Sequence, residues 1–235
     1  MKNGQIKTIF FDAADTLFYI REGLGHTYAG VARKHGAQDP HPDRIKKEFS
    51  KAFGSAPPLA FGNAAPEERK ELEKDYWRNI VETVYSKIGM FEGFDEHFDE
   101  LFEVFRSKAW TLFPESVEVL AQLKDSGYTL GIISNFDSRV YDVMRDLEIE
   151  GYFDVFVISS EAGHAKPATA IFHAALKKAG SSPGECIHIG DDLHNDFHGP
   201  RALGIKAVLL DREGEYESIG AGHRIADLTE ILKHL

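Results

Sequence analysis

Two aspartates three residues apart, Asp12 and Asp15, break an apolar run in IFFDAADTLF. A carboxylate so placed can act as a nucleophile or move a proton, so the pair is a first candidate for chemistry. Further along stand Ser134-Asn135, the lysine of GHAKP (Lys166), and the acids Asp191, Asp192 and Asp196 of GDDLHND. Together they offer hydrogen-bond donors, a positive charge and oxygen ligands suited to a hard divalent ion. His194 and His198, four apart, have a spacing that could hold zinc. The neighbouring acids and the lack of a further His/Cys set favour surface or packing histidines instead. Cys186, the single cysteine, cannot close an intrachain disulfide, and inside CIHIG it reads as a small buried strand residue without a chemical role.

These residues need elements to bring them together. Lys7–Phe11 is short, apolar and β-branched or aromatic, as a fully buried strand should be. Similar segments run over Tyr128–Ser134, Val155–Ser159, Cys186–Gly190 and Lys206–Leu210. Between them lie helical patterns: Val117, Leu120 and Leu123; Val140, Val143, Met144 and Leu147; Ile171, Phe172, Ala175, Leu176 and Ala179. Strands alternating with such helices predict right-handed βαβ units in a parallel sheet covered on both faces. Ligands then bind beyond the carboxyl ends of the strands, where Asp12, Ser134, Lys166 and the GDDLHND acids should all converge.

Residues 21–108 read differently, with helical periodicity and no convincing strand. Pro42 and Pro66 sit where first helical turns would begin. One helix should carry Trp77, Ile80, Val81, Val84, Tyr85 and Ile88 on one face, and another Phe94, Phe98, Leu101, Phe102 and Phe105. These stripes are expected to form the core of a helix bundle rather than a substrate-lining surface. The fold class is therefore α/β: a core of residues 1–20 and 109–235, interrupted after its first strand by an all-helical insertion over 21–108. The chain crosses between the two near Tyr19–Gly23 and Ser107–Pro114.

With 235 residues, 43% of them hydrophobic and 28% charged, the chain can bury one large core with a smaller satellite. Asp12 and Asp15 interrupt the longest apolar stretch near the N-terminus, so it suits neither a secretory signal nor a spanning helix. A cytoplasmic protein without a membrane partner is expected. A formal net charge of −11, with no basic cluster to offset it, disfavours nucleic acid. A small anionic substrate would require local positive charge from a lysine, a helix N-terminus or a metal.

The segments FFDAADTL, PESVEVLAQLKDSGYTLGIISNFD, YFDVFVISSEAGHAKPATAIF and IHIGDDLHNDFHGPRALGIKAV, in this order and spacing, resemble the haloacid dehalogenase-like (HAD) superfamily of hydrolases. The resemblance implies a Rossmann-like core with a mobile cap, the helical insertion standing where one type of that cap belongs. It further implies that Asp12 is a nucleophile forming a covalent aspartyl intermediate. Ser134 would donate to a phosphoryl oxygen, and Lys166 would hold the nucleophile and neutralise developing charge. Asn135 and Thr16 would bind substrate. Mg²⁺ would be held by Asp12, Asp191, Asp196 and the main-chain oxygen of Ala14. Electrostatics support the cation independently, because Lys166 alone cannot balance three adjacent carboxylates.

One departure narrows the chemistry. Most phosphatases of the superfamily carry a second aspartate two positions after the nucleophile, to protonate the leaving group and activate water. That position is Ala14 here, and Asp15 occupies the usual glycine position. Asp tolerates a left-handed backbone, so Asp15 is expected to shape the turn, with a displaced acid/base role as the other reading. Without an acid, a poor leaving group loses ~10²–10⁴ in rate, whereas a good one loses little. The expectation is a Mg²⁺-dependent phosphatase acting on a small phosphorylated metabolite. Three alternatives stand beside it. A 2-haloacid dehalogenase would face repulsion from the retained metal acids. A phosphonatase would need a cap lysine, but Lys34, Lys46, Lys47 and Lys51 lie on solvated helix faces. The third is a binding protein of the same fold that has lost turnover.

Overall fold

The structure is a computed structural model describing residues 5–220 and 222–235. Its main sheet is parallel throughout and is ordered β5-β4-β1-β6-β7-β8. In chain order its strands are β1 (Thr8–Phe11), β4 (Thr129–Ser134), β5 (Val155–Ile158), β6 (Cys186–Gly190), β7 (Lys206–Leu210) and β8 (Arg224–Ile225). The five strands expected from the sequence are all present, with ends displaced by at most a residue. β8 is new, and two residues are too few to leave a periodic signal.

β1 is central, and its side chains alternate between two apolar layers as a pleated strand requires. Ile9 and Phe11 pack with Leu120, Leu123 and Val140. Phe10 points the other way, toward Ile171, Phe172 and Ala175. The first layer is supplied by α5 (Ser116–Asp125) and α6 (Arg139–Asp146), the second by α8 (Thr169–Ala179); the short α7 (Ser159–Ala162) lies between β5 and α8.

The helical segment comprises α1 (Leu24–Lys34), α2 (Pro42–Ser55), α3 (Pro66–Ile88) and α4 (Phe94–Val104). Pro42 and Pro66 each occupy the first helical turn, where a missing N–H costs nothing. Tyr28, Ile45, Val81, Val84, Tyr85, Phe94 and Phe98 form a core of their own, as expected for the stripes. Trp77, Val81, Phe98, Leu101, Phe102 and Phe105 also line a cavity, however, so the stripes are not taken up by the bundle core alone.

Both chain crossings are made by one feature that the sequence did not reveal. β2 (Phe18–Ile20) and β3 (Trp110–Leu112) pair antiparallel as a separate ribbon, Phe18 against Leu112 and Ile20 against Trp110. Further contacts seat the helices on the core. Phe61 N donates to Ser160 O at 2.9 Å, and the Glu73 carboxylate accepts from Ser138 N at 3.1 Å. Gly62 lies so close to Gly163 that a Cβ on it would meet backbone at 2.6 Å, so only glycine permits this approach.

Candidate active site

Strand register determines what meets at the carboxyl edge. Phe11 pairs with Ile132 on one side and Ile189 on the other. Asp12, the next residue, is anchored by its N–H donating to Ile189 O at 2.9 Å. Ser134 ends β4 two residues past that level, and Asp191 follows the last residue of β6. Three residues from three distant sequence regions thereby reach one edge, because parallel strands all end on the same side.

Lys166, only 2% exposed at its side chain, is the hub of the polar cluster. Its Nζ lies 2.8 Å from Asp12 Oδ1 and 2.6 Å from Asp196 Oδ1. Asp12, Asp191 and Asp196 each offer an oxygen within 4.8 Å of the others. Asp196 reaches this position from a π-helical turn, Leu193–His198, whose start is capped by Asp192 Oδ1 accepting from His194 N at 2.8 Å and Asn195 N at 2.7 Å. Gly190 leaves room for it, since a Cβ there would stand 2.3 Å from the Asp196 carboxyl carbon.

Charges inside the cluster are unequal. Burial pushes the Asp196 carboxyl up, but Lys166 and His188 outweigh it and hold the group at about 2. Asp191 lacks such a partner; burial, then Asp12, Asp196 and Asp15, push it up to about 8. Asp12 is also raised, by burial against the opposing pull of Lys166. Burial disfavours the Lys166 ammonium, yet the two aspartates overcome it and raise its pKa. A site with one firmly charged cation, one firmly charged carboxylate and two carboxylates disfavoured as anions has the donor set and charge deficit that suit a hard divalent ion. Asp12, Asp191 and Asp196 would hold it, with the Ala14 carbonyl as the main-chain ligand implied by resemblance.

Two further residues are placed in positioning bonds. The Thr16 hydroxyl, fully buried, donates to Asp191 Oδ1 at 3.0 Å. The Asn135 amide is closed on the Lys166 backbone, with Nδ2 donating to Lys166 O at 2.9 Å and Oδ1 accepting from Lys166 N at 2.7 Å. Both side chains, expected to touch substrate, are engaged in holding other members of the site. Ser134 is buried at the end of β4. Asp15 has φ of +60°, the left-handed turn anticipated for it, and its N–H donates to Phe18 O at 2.7 Å. His194 and His198 are exposed and stand outside the acidic cluster.

His188 escaped the sequence reading. Fully buried on β6, it places Nε2 2.8 Å from Asp196 Oδ1, the same oxygen that faces Lys166. The available signal was a polar residue within the otherwise apolar CIHIG strand, three positions before Asp191.

The fold and this edge-of-sheet cluster define a hydrolase class. A sequence profile described as haloacid dehalogenase-like hydrolase matches residues 6–204, and the chain belongs to that family. Among curated relatives, "Haloacid dehalogenase-like hydrolase domain-containing protein 3" of Xenopus laevis is 30% identical over 208 residues, covering 87% of this chain and 84% of the relative. Among solved structures, a HAD phosphatase from Thermococcus onnurineus superposes with a TM-score of 0.67 at 23% identity, covering 97% of each chain. A 2-haloacid dehalogenase from Pseudomonas syringae pv. Tomato DC3000 does so at 0.65 and 22%, covering 98% of each. At such identities the structural likeness concerns the fold. No helix among the described residues is long and apolar enough to cross a membrane.

Proposed function

We propose that the chain is a Mg²⁺-dependent phosphatase-type hydrolase that forms an aspartyl phosphate on Asp12 and acts on a small phosphorylated metabolite with a good leaving group. The observation that carries this reading is Lys166 held between Asp12 and Asp196 with Asp191 alongside. A metal-free haloacid site would gain nothing from two extra carboxylates beside its nucleophile, and they would repel a carboxylate substrate. When bound, the cation would supply charge neutralisation for an approaching phosphate and orient it.

The protein's own groups do the rest. Lys166 holds Asp12 Oδ1, so the other carboxylate oxygen is the one presented for attack on phosphorus. The Ser134 hydroxyl and Lys166 ammonium bind the oxygens of the transferring group and stabilise the charge that builds there. Thr16 and Asn135 keep Asp191 and Lys166 in register, and His188 does the same for Asp196. Ala14 supplies no proton, so the leaving oxygen must depart as a stable anion. Water then cleaves the aspartyl phosphate. The helical segment serves as the cap that excludes bulk water, hinged at the ribbon of β2 and β3. The proposed setting is cytoplasmic.

The test is a hydrolysis screen with and without Mg²⁺ over phosphate esters of graded leaving-group pKa, with a 2-haloacid included. Turnover should require the metal, fall steeply as the leaving group becomes more basic, and vanish in Asp12→Asn. Halide release without metal would establish the dehalogenase reading in its place. No turnover of any ester would favour a binding protein.

A further inference from the structure

A cavity of about 230 Å³ lies between the helical segment and the sheet edge. Its floor is Ala14, Asp15, Asn135 and Phe136, residues one to three positions beyond Asp12 or Ser134. Its walls are aromatic and aliphatic, with Tyr28, Phe49, Phe53, Trp77, Phe102 and Trp110 prominent. An engineered apolar cavity of ~150 Å³ holds benzene, so this one has room for a larger fused ring.

The polar groups on the wall are nearly all committed to the protein. Each of the three Arg139 guanidinium nitrogens already donates: Nε to Asp137 Oδ1 at 2.9 Å, Nη2 to Asp137 Oδ2 at 2.7 Å, and Nη1 to Phe102 O at 3.2 Å. Its faces lie against Phe102, 4.0 Å from the ring centroid, and Trp77 at 5.4 Å. The Trp77 indole N–H is given to Asp137 and that of Trp110 to Phe105 O. The Asn135 amide is closed on the Lys166 backbone. Among the described residues, the Asp15 carboxyl at the floor and the Tyr28 hydroxyl remain. Among the described residues no unpaired lysine or arginine lines the chamber, and Lys46, outside the lining, acts on the Asp15 carboxyl at the floor. Along the apolar walls a sugar, a nucleotide or a second phosphate would lose water without adequate replacement.

We infer that this cavity receives the leaving group and that the substrate is an aryl phosphate monoester. The inference rests on the phosphatase reading and deepens it. The chamber opens at Ala14, where a proton donor is missing, and an aryloxide is the flat, apolar leaving group that departs without one. As the Asp12–phosphorus bond forms, the phosphorus–aryl oxygen bond breaks and its electron pair stays on the aryloxide, which takes a proton from water. A second water splits the aspartyl phosphate, releasing inorganic phosphate and restoring Asp12.

Leu24 and Val81 line the chamber from α1 and α3, helices that carry none of the polar cluster. With Mg²⁺ present, kcat/KM is measured for 2-naphthyl phosphate and for acetyl phosphate, whose good leaving group needs no apolar chamber. In Leu24→Trp, kcat/KM for the naphthyl ester should fall about tenfold or more as the ring loses its burial, while the acetyl phosphate rate stays within about twofold. Val81→Phe provides a second filling from a different helix should the first fail to fold. Equal changes for both substrates, or no change for either, would overturn the inference and leave the phosphatase reading standing. If neither compound is hydrolysed, the phosphatase reading fails, and calorimetric titration with 2-naphthol still decides the chamber. Binding lost in the filled variant supports it, and no binding to the wild type refutes it.

Discussion

Ala14 and Asp15 are the residues at which the chemistry of this site turns. Replacing the missing acid by Ala14→Asp should raise turnover of esters with basic leaving groups by up to ~10²–10⁴ and leave activated esters nearly unchanged, as a Brønsted plot of log kcat against leaving-group pKa will show. Asp15 has a backbone role written into its φ of +60°. Asp15→Gly should therefore retain wild-type stability to within ~1 kcal/mol in denaturant titration, because glycine adopts that angle freely. Asp15→Val should be much less stable, since a β-branched residue resists it. Unchanged leaving-group dependence in Asp15→Gly would confirm that its carboxyl shapes the turn; a rate loss confined to basic leaving groups would assign it the proton transfer.

At the scale of elements, α4 contains a group that should make the helical segment sensitive to acid. His97 is fully buried with both ring nitrogens unpartnered. The rings of Tyr85 and Phe91 surround it, at 4.8 and 5.4 Å, with His35 at 6.5 Å. Burial, helped by His35 and opposed by Glu100, lowers its pKa from 6.5 to about 4. The unfolded chain therefore binds a proton that the folded chain refuses. The stability contributed by neutral His97 is complete above pH 6.5 and drains away as pH falls toward 4, by roughly 3 kcal/mol at most. Thermal melts between pH 7 and pH 4.5 should show this loss, and His97→Leu should flatten it. The β2–β3 ribbon illustrates a different limit at this scale. Three residues per strand carry no readable alternation, and their pairing joins positions about 90 apart, so only the folded chain brings them together.

For the molecule as a whole, a net charge of −11 surrounds a site proposed to accept an anion. A bound cation should therefore be worth stability as well as activity. Mg²⁺ at 100 times its dissociation constant would stabilise the fold by ~2.7 kcal/mol through binding the native state alone. Differential scanning calorimetry should record a higher Tm with Mg²⁺, reversed by chelation. Asp191→Asn should abolish that increment, because it removes one of the three carboxylates proposed to hold the ion.

Much of this protein was legible along the chain. Apolar strand runs, the prolines opening α2 and α3, and the order Asp12, Ser134, Lys166, Asp191, Asp196 are local patterns, and a parallel sheet sends every strand's carboxyl end to one edge. Other properties emerged only when distant side chains met. Asp196 is shared by Lys166 and His188, Thr16 and Asn135 are engaged by their neighbours, and aromatic residues from four helices enclose a chamber beside Ala14. A hydrogen bond about 3 Å long, or the shape of a cavity, depends on how separate elements pack, and no pattern of residue types along one element encodes it.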